Sequence, residues 1–297
     1  MKAGPVELPR KVTIGQGLTM IIDNCLTQIQ GNQAGVLRAT DPEAIHQMRV
    51  GIRRLRSAIG LFPKGIEFPA PLRIELKWLA GEIGAARDAD VLADSTLARM
   101  AAACPAETAL RSLRQAVSAE ALAKRQQAAL ALRSARYTRL MEGLASWLHD
   151  LRSKQTPTGK ARPALARHLD RYAARILVRR HRRLLELGQG LAHASPEERH
   201  RVRIAAKKLR YAVEFFLSLH APRRARRFLR KLAALQDVLG TLNDAAVADR
   251  LLLDLGKRQP KLVEEASFAR GFLSGDVRGR TEELVRLWHE FSALDPY

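Results

Sequence analysis

Apolar residues recur at three- and four-residue steps along most of the chain, which is the period of an amphipathic α-helix. Glycine and proline are sparse, and runs that alternate polar and β-branched residues, as strands do, are missing. The pattern therefore predicts an all-α protein. The predicted helices lie near residues 12–37, 42–61, 71–103, 107–150, 163–192, 197–219, 223–256 and 261–291.

One stretch interrupts this periodicity. Residues 153–163, SKQTPTGKARP, are mostly polar and include two prolines and a glycine, which is typical of a linker. The linker divides the 297-residue chain into two predicted units, 1–156 and 157–297. Each unit has four predicted helices with short connections, which is enough for an antiparallel four-helix bundle.

The two units share an internal repeat. The segment IHQMRVGIRRLRSAIGLF at residues 45–62 returns as RHRVRIAAKKLRYAVEFF at 199–216. A second block, LAGEIGAARDADV at 79–91, is paralleled by LQDVLGTLNDAAV at 235–247. Two matching blocks in the same order indicate a duplication. The aligned pairs are His46 and His200, Arg49 and Arg203, Arg53 and Lys207, Arg54 and Lys208, Arg56 and Arg210, and Asp88 and Asp244.

Each motif helix carries two stripes of side chains, one apolar and one basic. The apolar stripes, predicted to face the core, are Ile45, Met48, Ile52, Leu55, Ile59 and Phe62 in the first copy and Val202, Ala206, Leu209, Val213 and Phe216 in the second. At about 100° per residue, the basic residues form a second stripe beside the first. These cationic stripes are His46, Arg49, Arg53 and Arg56, and His200, Arg203, Lys207 and Arg210.

The cationic stripes place like charges four residues apart, as at Arg49 and Arg53, and the second copy repeats this. A solvated helix face normally mixes signs, because like charges at this spacing repel. Repulsion in both copies predicts an anionic partner. The alternative is pairing with carboxylates of neighbouring helices, for which Asp88 and Asp244 are natural candidates. Two acids cannot neutralise eight basic residues, so we expect these aspartates to orient arginines of the stripes.

The net charge of the whole chain indicates which classes of partner to expect. The chain has 51 Lys and Arg against 30 Asp and Glu, a net charge of +21. This imbalance favours a polyanion, whether nucleic acid, an anionic membrane surface or a phosphate compound, over a merely solubilising surface. A further cluster lies at 160–183, where Arg175, Arg179, Arg182 and Arg183 recur at helical spacing beside one acid, Asp170. Arg179 and Arg183 join the candidate binding residues.

The cysteines and histidines do not predict a metal site. Cys25 and Cys104 have no metal-ligand spacing and are interpreted as core residues in a reducing compartment. The residues next to His46 and His200 are cations, whereas a metal needs converging His, Cys or carboxylate ligands. These histidines are expected either to donate to a phosphate oxygen or to be satisfied inside the bundle.

Catalysis and membrane insertion are not predicted either. Glu82, Asp88, Asp90 and Asp244 could in principle hold Mg²⁺, but the chain has no glycine-rich phosphate loop with Lys-Ser or Lys-Thr. It also has no nucleophile with a recognisable base beside it, so we expect no enzyme and no cofactor. No apolar run approaches membrane-spanning length, which predicts a soluble, cytoplasmic protein without a membrane partner.

The paired motifs, with RDADVL and NDAAV downstream, resemble the signatures of the CHAD family, the conserved histidine α-helical domain. The resemblance covers about residues 12–291. It implies two four-helix bundles related by pseudo-two-fold symmetry, with basic faces that line a central cavity. It also implies binding of inorganic polyphosphate and association with polyphosphate granules. The Glu-x-Glu-x-Lys signature of the triphosphate tunnel enzyme fused to some members is missing, so the chain is expected to be a CHAD module alone.

The resemblance also implies which residues bind. Carried over by motif, they are His46, Arg49, Arg53, Arg56, His200, Arg203, Lys207 and Arg210. Arg54 and Lys208 match a basic pair of the motif and are also candidate binding residues, although they point farther round the helix, which makes twelve candidates with Arg179 and Arg183. The leading hypothesis is therefore a non-catalytic polyphosphate-binding protein. A nucleic-acid-binding protein is the weaker alternative, because an aromatic content of 5% leaves few platforms for stacking bases.

Overall fold

The computed structural model describes residues 1–63, 66–103, 110–153, 163–219 and 222–294. Within these ranges all regular elements are helices, and the one strand-like feature is an isolated bridge between Thr13 and His168. The predicted all-α class is confirmed. Most of the predicted linker, the predicted boundary at 156, and Cys104 lie outside the described residues.

The described helices are unequally divided between the two halves. The first half contains α1 (Ile14–Gly31), α2 (Gln33–Arg38), α3 (Pro42–Ile59), α4 (Ala70–Asp90), α5 (Leu97–Ala103), α6 (Arg111–Arg133) and α7 (Ala135–Ser153), with a π-helical turn at Val91–Thr96. The second half contains α8 (Pro163–Ala166), α9 (Leu169–Gly188), α10 (Pro196–Phe215), α11 (Pro222–Arg258) and α12 (Val263–Ser292).

Three of the helices predicted for the first half, those at 12–37, 71–103 and 107–150, each correspond to two α-helices in the structure. The predicted helix at 107–150 is broken at Ser134, whose backbone is extended. The Ser134 hydroxyl donates to the carbonyl of Ala131 at 2.6 Å and accepts from the amide of Tyr137 at 3.3 Å. One serine therefore ends α6 and caps α7, which periodicity alone does not indicate.

The two motif helices begin in the same way. Asp41 caps α3 by accepting from the amides of Glu43 and Ala44, at 3.0 and 3.1 Å. Ser195 caps α10 through a reciprocal capping box with Glu198. Each cap is followed by a proline, at the position where the missing amide proton costs nothing. The caps fix where each cationic stripe starts.

The apolar stripes face the core as predicted. Ile45, Met48, Ile52 and Leu55 of α3 are at most 1% exposed. The corresponding side chains of α10 are buried as well, and Ile59 and Phe62 pack against the core while remaining partly exposed. The buried apolar residues form two clusters, and each cluster contains residues of both halves. The halves therefore share their hydrophobic cores.

Packing brings the two cationic stripes together. The motif helix α3 packs on α1 and α4, and α10 packs on α9 and α11. Across the halves, α3 contacts α10 and α4 contacts α11. These four helices, α3, α4, α10 and α11, surround a central space. The pseudo-two-fold symmetry of two bundles stays a prediction.

Candidate anion-binding cavity

A cavity of about 590 Å³ lies between α3, α4, α10 and α11. Seven of the twelve predicted binding residues line it, together with both predicted supporting aspartates. They are His46, Arg49, Arg53, Arg54, Arg203, Lys207 and Arg210, with Asp88 and Asp244. The duplicated motifs thus contribute to one shared cavity.

The other five predicted binding residues do not line the cavity. Arg56 and Lys208 are exposed on their helices. Arg179 lines a separate groove beside α9, and Arg183 is exposed and pairs with Glu186 at 3.1 Å. Their periodicity places them on basic helix faces, but these faces point away from the cavity.

His200 is the fifth of these residues, and it differs from its counterpart His46. It is exposed and lines a neighbouring groove formed by α10, α11 and α12. Its Nδ1 lies 2.7 Å from Oδ1 of Asn243, which turns the ring toward α11. Only one of the two motif histidines therefore lines the cavity.

The two aspartates each lie beside an arginine of a cationic stripe, but only Asp88 accepts a hydrogen bond from it. Nη1 of Arg49 donates to Oδ1 of Asp88 at 2.6 Å and to the carbonyl of Gly84 at 2.8 Å. In the second half, Nη2 of Arg203 lies 3.8 Å from Oδ1 of Asp244. The aspartates occupy equivalent positions, but the second pair is looser, so Arg203 retains more freedom to bind another acceptor.

Several donors around the cavity are buried without an acceptor. Among the described residues, Nε of Arg53, Nε of Arg203 and Nε2 of Gln236 have no hydrogen-bond partner. All three residues line the cavity. A buried donor without a partner costs about 1–3 kcal/mol, and more when it is charged. These side chains therefore have hydrogen-bonding capacity that the protein does not use, and a change of their rotamers would bring it to the cavity.

The lining has more basic groups than acidic ones. Seven Lys and Arg side chains and His46 face four carboxylates, which are Asp88, Glu214, Asp237 and Asp244. Three of these carboxylates are already engaged by arginines: Asp88 by Arg49, Asp244 by Arg203 and Glu214 by Arg210 at 2.7 Å. Arg53 and Arg87 have no such ion pair with any carboxylate that the structure describes, so they contribute positive charge that the wall does not balance.

Burial among these charges alters two protonation equilibria. Burial first, and then the nearby guanidinium groups led by Arg53, together lower the pKa of Lys207 to about 6 against the opposing effect of Asp244. Burial also lowers the pKa of His46, followed by the positive charge of Arg87. Both groups prefer to be neutral in the free protein, and a bound anion would favour their charged forms.

Arg54 lines the cavity but uses its donors elsewhere. Its Nη1 donates to Oε1 of Gln28 at 2.9 Å and its Nη2 to Oδ1 of Asn24 at 2.8 Å, both on α1. Its guanidinium carbon lies 5.2 Å from the ring centre of Phe215 on α10. Arg54 is 6% exposed and joins α1, α3 and α10. These contacts give it a structural role in the wall.

Some lining residues do not follow from the motifs. Arg87, Glu214 and Gln236 line the cavity, and none of them belongs to a cationic stripe. Arg87 lies three residues after Gly84 and next to Asp88, so helical spacing from the second repeat block could have indicated it. Gln236 carries no such signal, because an isolated polar residue on a long helix faces the cavity only through helix packing.

The profile of the CHAD domain matches residues 20–253. The chain belongs to the CHAD family. The crystal structure of the CHAD domain from the plant Ricinus communis superposes with a TM-score of 0.89 at 38% identity, covering 100% of this chain and 97% of that one. PptA from Streptomyces chartreusis has the same fold, with a TM-score of 0.67 at 17% identity over 94% of this chain and 99% of its own.

Two curated relatives extend beyond this CHAD chain. Uncharacterized proteins from two strains of Mycobacterium tuberculosis are 29% identical over 225 residues, which cover 73% of this chain. The chain spans 41% of their length. Of the described helices, none is long and apolar enough to cross a membrane. The described residues contain no group of three His, Cys, Asp or Glu side chains that could hold a metal ion.

Proposed function

We propose that this CHAD protein binds inorganic polyphosphate in the central cavity and does not transform it. The observation that carries the proposal is a single cavity whose wall has more basic than acidic side chains, with three of its four carboxylates already paired with arginines. Phosphate oxygens supply both the acceptors and the charge that this wall needs. Membership of the CHAD family supports the same ligand, and association with polyphosphate granules is part of the proposal.

The lining favours polyphosphate over nucleic acid. Tyr211 is the one phenylalanine, tyrosine or tryptophan among the described lining residues, so the cavity offers little surface on which bases could stack. The Arg203 side chain is only 12% exposed and lies in the wall of the cavity. A DNA duplex is too wide to enter, so its backbone would contact only the rim of the cavity and not Arg203. A thin polymer of phosphoryl groups has no bases to accommodate and can enter.

The carboxylates of the cavity favour binding without catalysis. Asp88, Asp244 and Glu214 are each paired with an arginine, which leaves Asp237 as the one carboxylate of the described lining without an ion pair. One free carboxylate among six arginines favours holding phosphate through the cations over building a Mg²⁺ site. We therefore expect no release of phosphate when polyphosphate and Mg²⁺ are incubated with the protein.

The test is binding of labelled long-chain polyphosphate at near-physiological salt to the wild type and to Arg53→Ala with Lys207→Ala. Arg53 is a charged donor, and Lys207 becomes one when it takes up a proton on binding. A charged donor is worth about 1.5–3 kcal/mol, so we expect the loss of both to lower affinity about 100-fold. The matched control is Arg111→Ala with Arg114→Ala, which removes two exposed arginines of α6 outside the cavity.

The control should bind almost as tightly as the wild type. Duplex DNA at the same phosphate concentration should displace little polyphosphate. Equal losses in the two double variants, or equal displacement by DNA, would show a general polyanion surface and contradict binding in the cavity.

A further inference from the structure

A second basic groove lies outside the cavity, between α9 and the residues that follow α3. It has a volume of about 430 Å³ and contains Arg167, Arg175 and Arg179, with Tyr172 and Pro63 in its wall. No carboxylate occurs among its described lining residues. Arg175 and Arg179 are four residues apart on α9, so their like charges repel each other. We call this surface the α9 groove.

Neighbouring acids do not neutralise the α9 groove. The two acids of α9 are Asp170 and Glu186. Oδ1 of Asp170 accepts from the backbone amide of Arg171 at 2.7 Å, and Glu186 pairs with Arg183. Burial raises the pKa of Tyr172, and its hydroxyl donates to the carbonyl of Leu61 at 2.6 Å, so this phenol stays neutral. The three arginines therefore keep their full positive charge.

Arg180, which directly follows the groove residue Arg179, joins α9 to the two motif helices. Its Nη1 donates to Oγ of Ser57 at 3.2 Å and to the carbonyl of Lys208 at 2.5 Å. Ser57 is four residues, about 6 Å along the helix, beyond the cavity residue Arg53, and Lys208 directly follows the cavity residue Lys207. Burial lowers the pKa of Arg180 to about 10, which leaves it charged at neutral pH. A protonated guanidinium thus fixes α9, which carries the groove, against α3 and α10, which line the cavity.

We infer that the α9 groove is a second anion-binding site, which holds phosphoryl groups of a polyphosphate chain that continues beyond the cavity. The inference rests on the proposed function of the cavity. When one polymer is bound in the cavity, its free end is held close to the α9 groove, so the second contact is intramolecular. The overall affinity then rises although the affinity of the cavity itself is unchanged. Short polyphosphates occupy the cavity alone. The α9 groove therefore makes this protein selective for long chains.

The test compares two probes, tripolyphosphate and long-chain polyphosphate, on the wild type and on Arg175→Glu with Arg179→Glu. Both arginines are exposed, and circular dichroism checks that the helices are retained. We expect the affinity for the long chain to fall about tenfold or more, while the affinity for tripolyphosphate stays within about twofold. Equal losses for the two probes, or no loss for the long chain, would overturn the second site.

The matched control is Arg111→Glu with Arg114→Glu, which makes the same change in net charge on α6, outside both the cavity and the α9 groove. This control should keep the preference for the long chain. If it loses as much long-chain affinity as the α9 variant, net charge is responsible and the second site is overturned. A wild type that binds neither probe instead refutes the cavity function, so the two failures are distinguishable.

Discussion

The first motif helix, α3, and the second, α10, carry the same order of basic residues but meet different neighbours. His46 lines the cavity near Arg87, whereas His200 is exposed and lies 2.7 Å from Asn243. Arg87 directly precedes Asp88, and Asn243 directly precedes Asp244, so the two neighbours occupy matching positions of the repeat. A duplicated motif therefore reproduces helix faces, while the contacts depend on what the adjacent helix has at each position.

The same difference separates Arg56 from Arg210. Arg210 donates to Glu214 at 2.7 Å and to Gln236 at 3.4 Å, and it lines the cavity. In the first half, the positions that match Glu214 and Gln236 hold Gly60 and Ala80, which offer no acceptor side chain. Arg56 is exposed. The second half thus supplies more of the polar wall than the first.

The largest expected effect on polyphosphate affinity distinguishes Arg203 from its counterpart Arg49, the two stripe arginines that lie beside Asp244 and Asp88. Arg203→Ala should weaken long-chain polyphosphate binding about 10- to 100-fold, because this side chain has a loose ion pair and a buried Nε without an acceptor. Arg49→Ala should weaken binding less and lower the free energy of unfolding by about 1 kcal/mol, because Arg49 is held by Asp88 and Gly84 in a partly exposed pair.

Titration calorimetry and urea unfolding on both variants measure these two quantities. Equal losses of affinity would contradict the contrast and would mean that the tighter ion pair does not restrain Arg49.

The next effect contrasts Lys207 with its counterpart Arg53, since only the lysine can lose its charge near neutral pH. With a pKa of about 6 in the free protein, Lys207 is charged below pH 6 and mostly neutral above it. Binding above pH 6 therefore takes up a proton, and because the charged fraction falls from about one half at pH 6 to about one hundredth at pH 8, polyphosphate affinity should fall by up to about 50-fold over this range.

Lys207→Arg is the control, because an arginine stays charged over this range while His46 still titrates. The variant should show a clearly flatter pH profile, measured by fluorescence anisotropy with labelled polyphosphate. An unchanged slope would assign the proton uptake to His46 or to the polymer itself.

The smallest effect contrasts the two motif histidines. His46→Ala should weaken polyphosphate binding about threefold. The loss is small because burial and the neighbouring arginines lower the pKa of His46, so the free energy needed to protonate the imidazole offsets part of what its contact with phosphate contributes. His200→Ala should leave the affinity unchanged, because the ring is exposed and lies outside the cavity. The same anisotropy measurement decides, and a larger loss for His200→Ala would place the second histidine in contact with the polymer.

The sequence predicts faces of helices well and contacts between helices poorly. The burial of Ile45, Met48 and Leu55 follows from a period of 3.6 residues, and so does the neighbouring cationic stripe. The burial of Arg54 does not follow from it. Arg54 is the next residue after Arg53, about 100° further round the helix, and it is buried because Asn24 and Gln28 of α1 accept its donors.

The breaks within the helices were also beyond the sequence pattern. Ser134 interrupts an otherwise continuous helical period, and it does so through two hydrogen bonds of its hydroxyl to nearby backbone. These side-chain hydrogen bonds leave the spacing of the apolar residues unchanged. The apolar spacing therefore predicts one continuous helix over 107–150 and does not indicate the break at Ser134. The duplicated caps at Asp41 and Ser195, by contrast, coincide with clear start signals.

The shared hydrophobic cores have a consequence for the ancestry of this fold. A chain with a single motif copy would expose apolar faces that are buried here against the other half, and it could cover them with a second copy of itself. Joining two such copies makes assembly independent of protein concentration. It also lets each copy change alone. A homodimer must carry the same residue at both positions, whereas the linked chain can keep Arg87 on one side and Asn243 on the other.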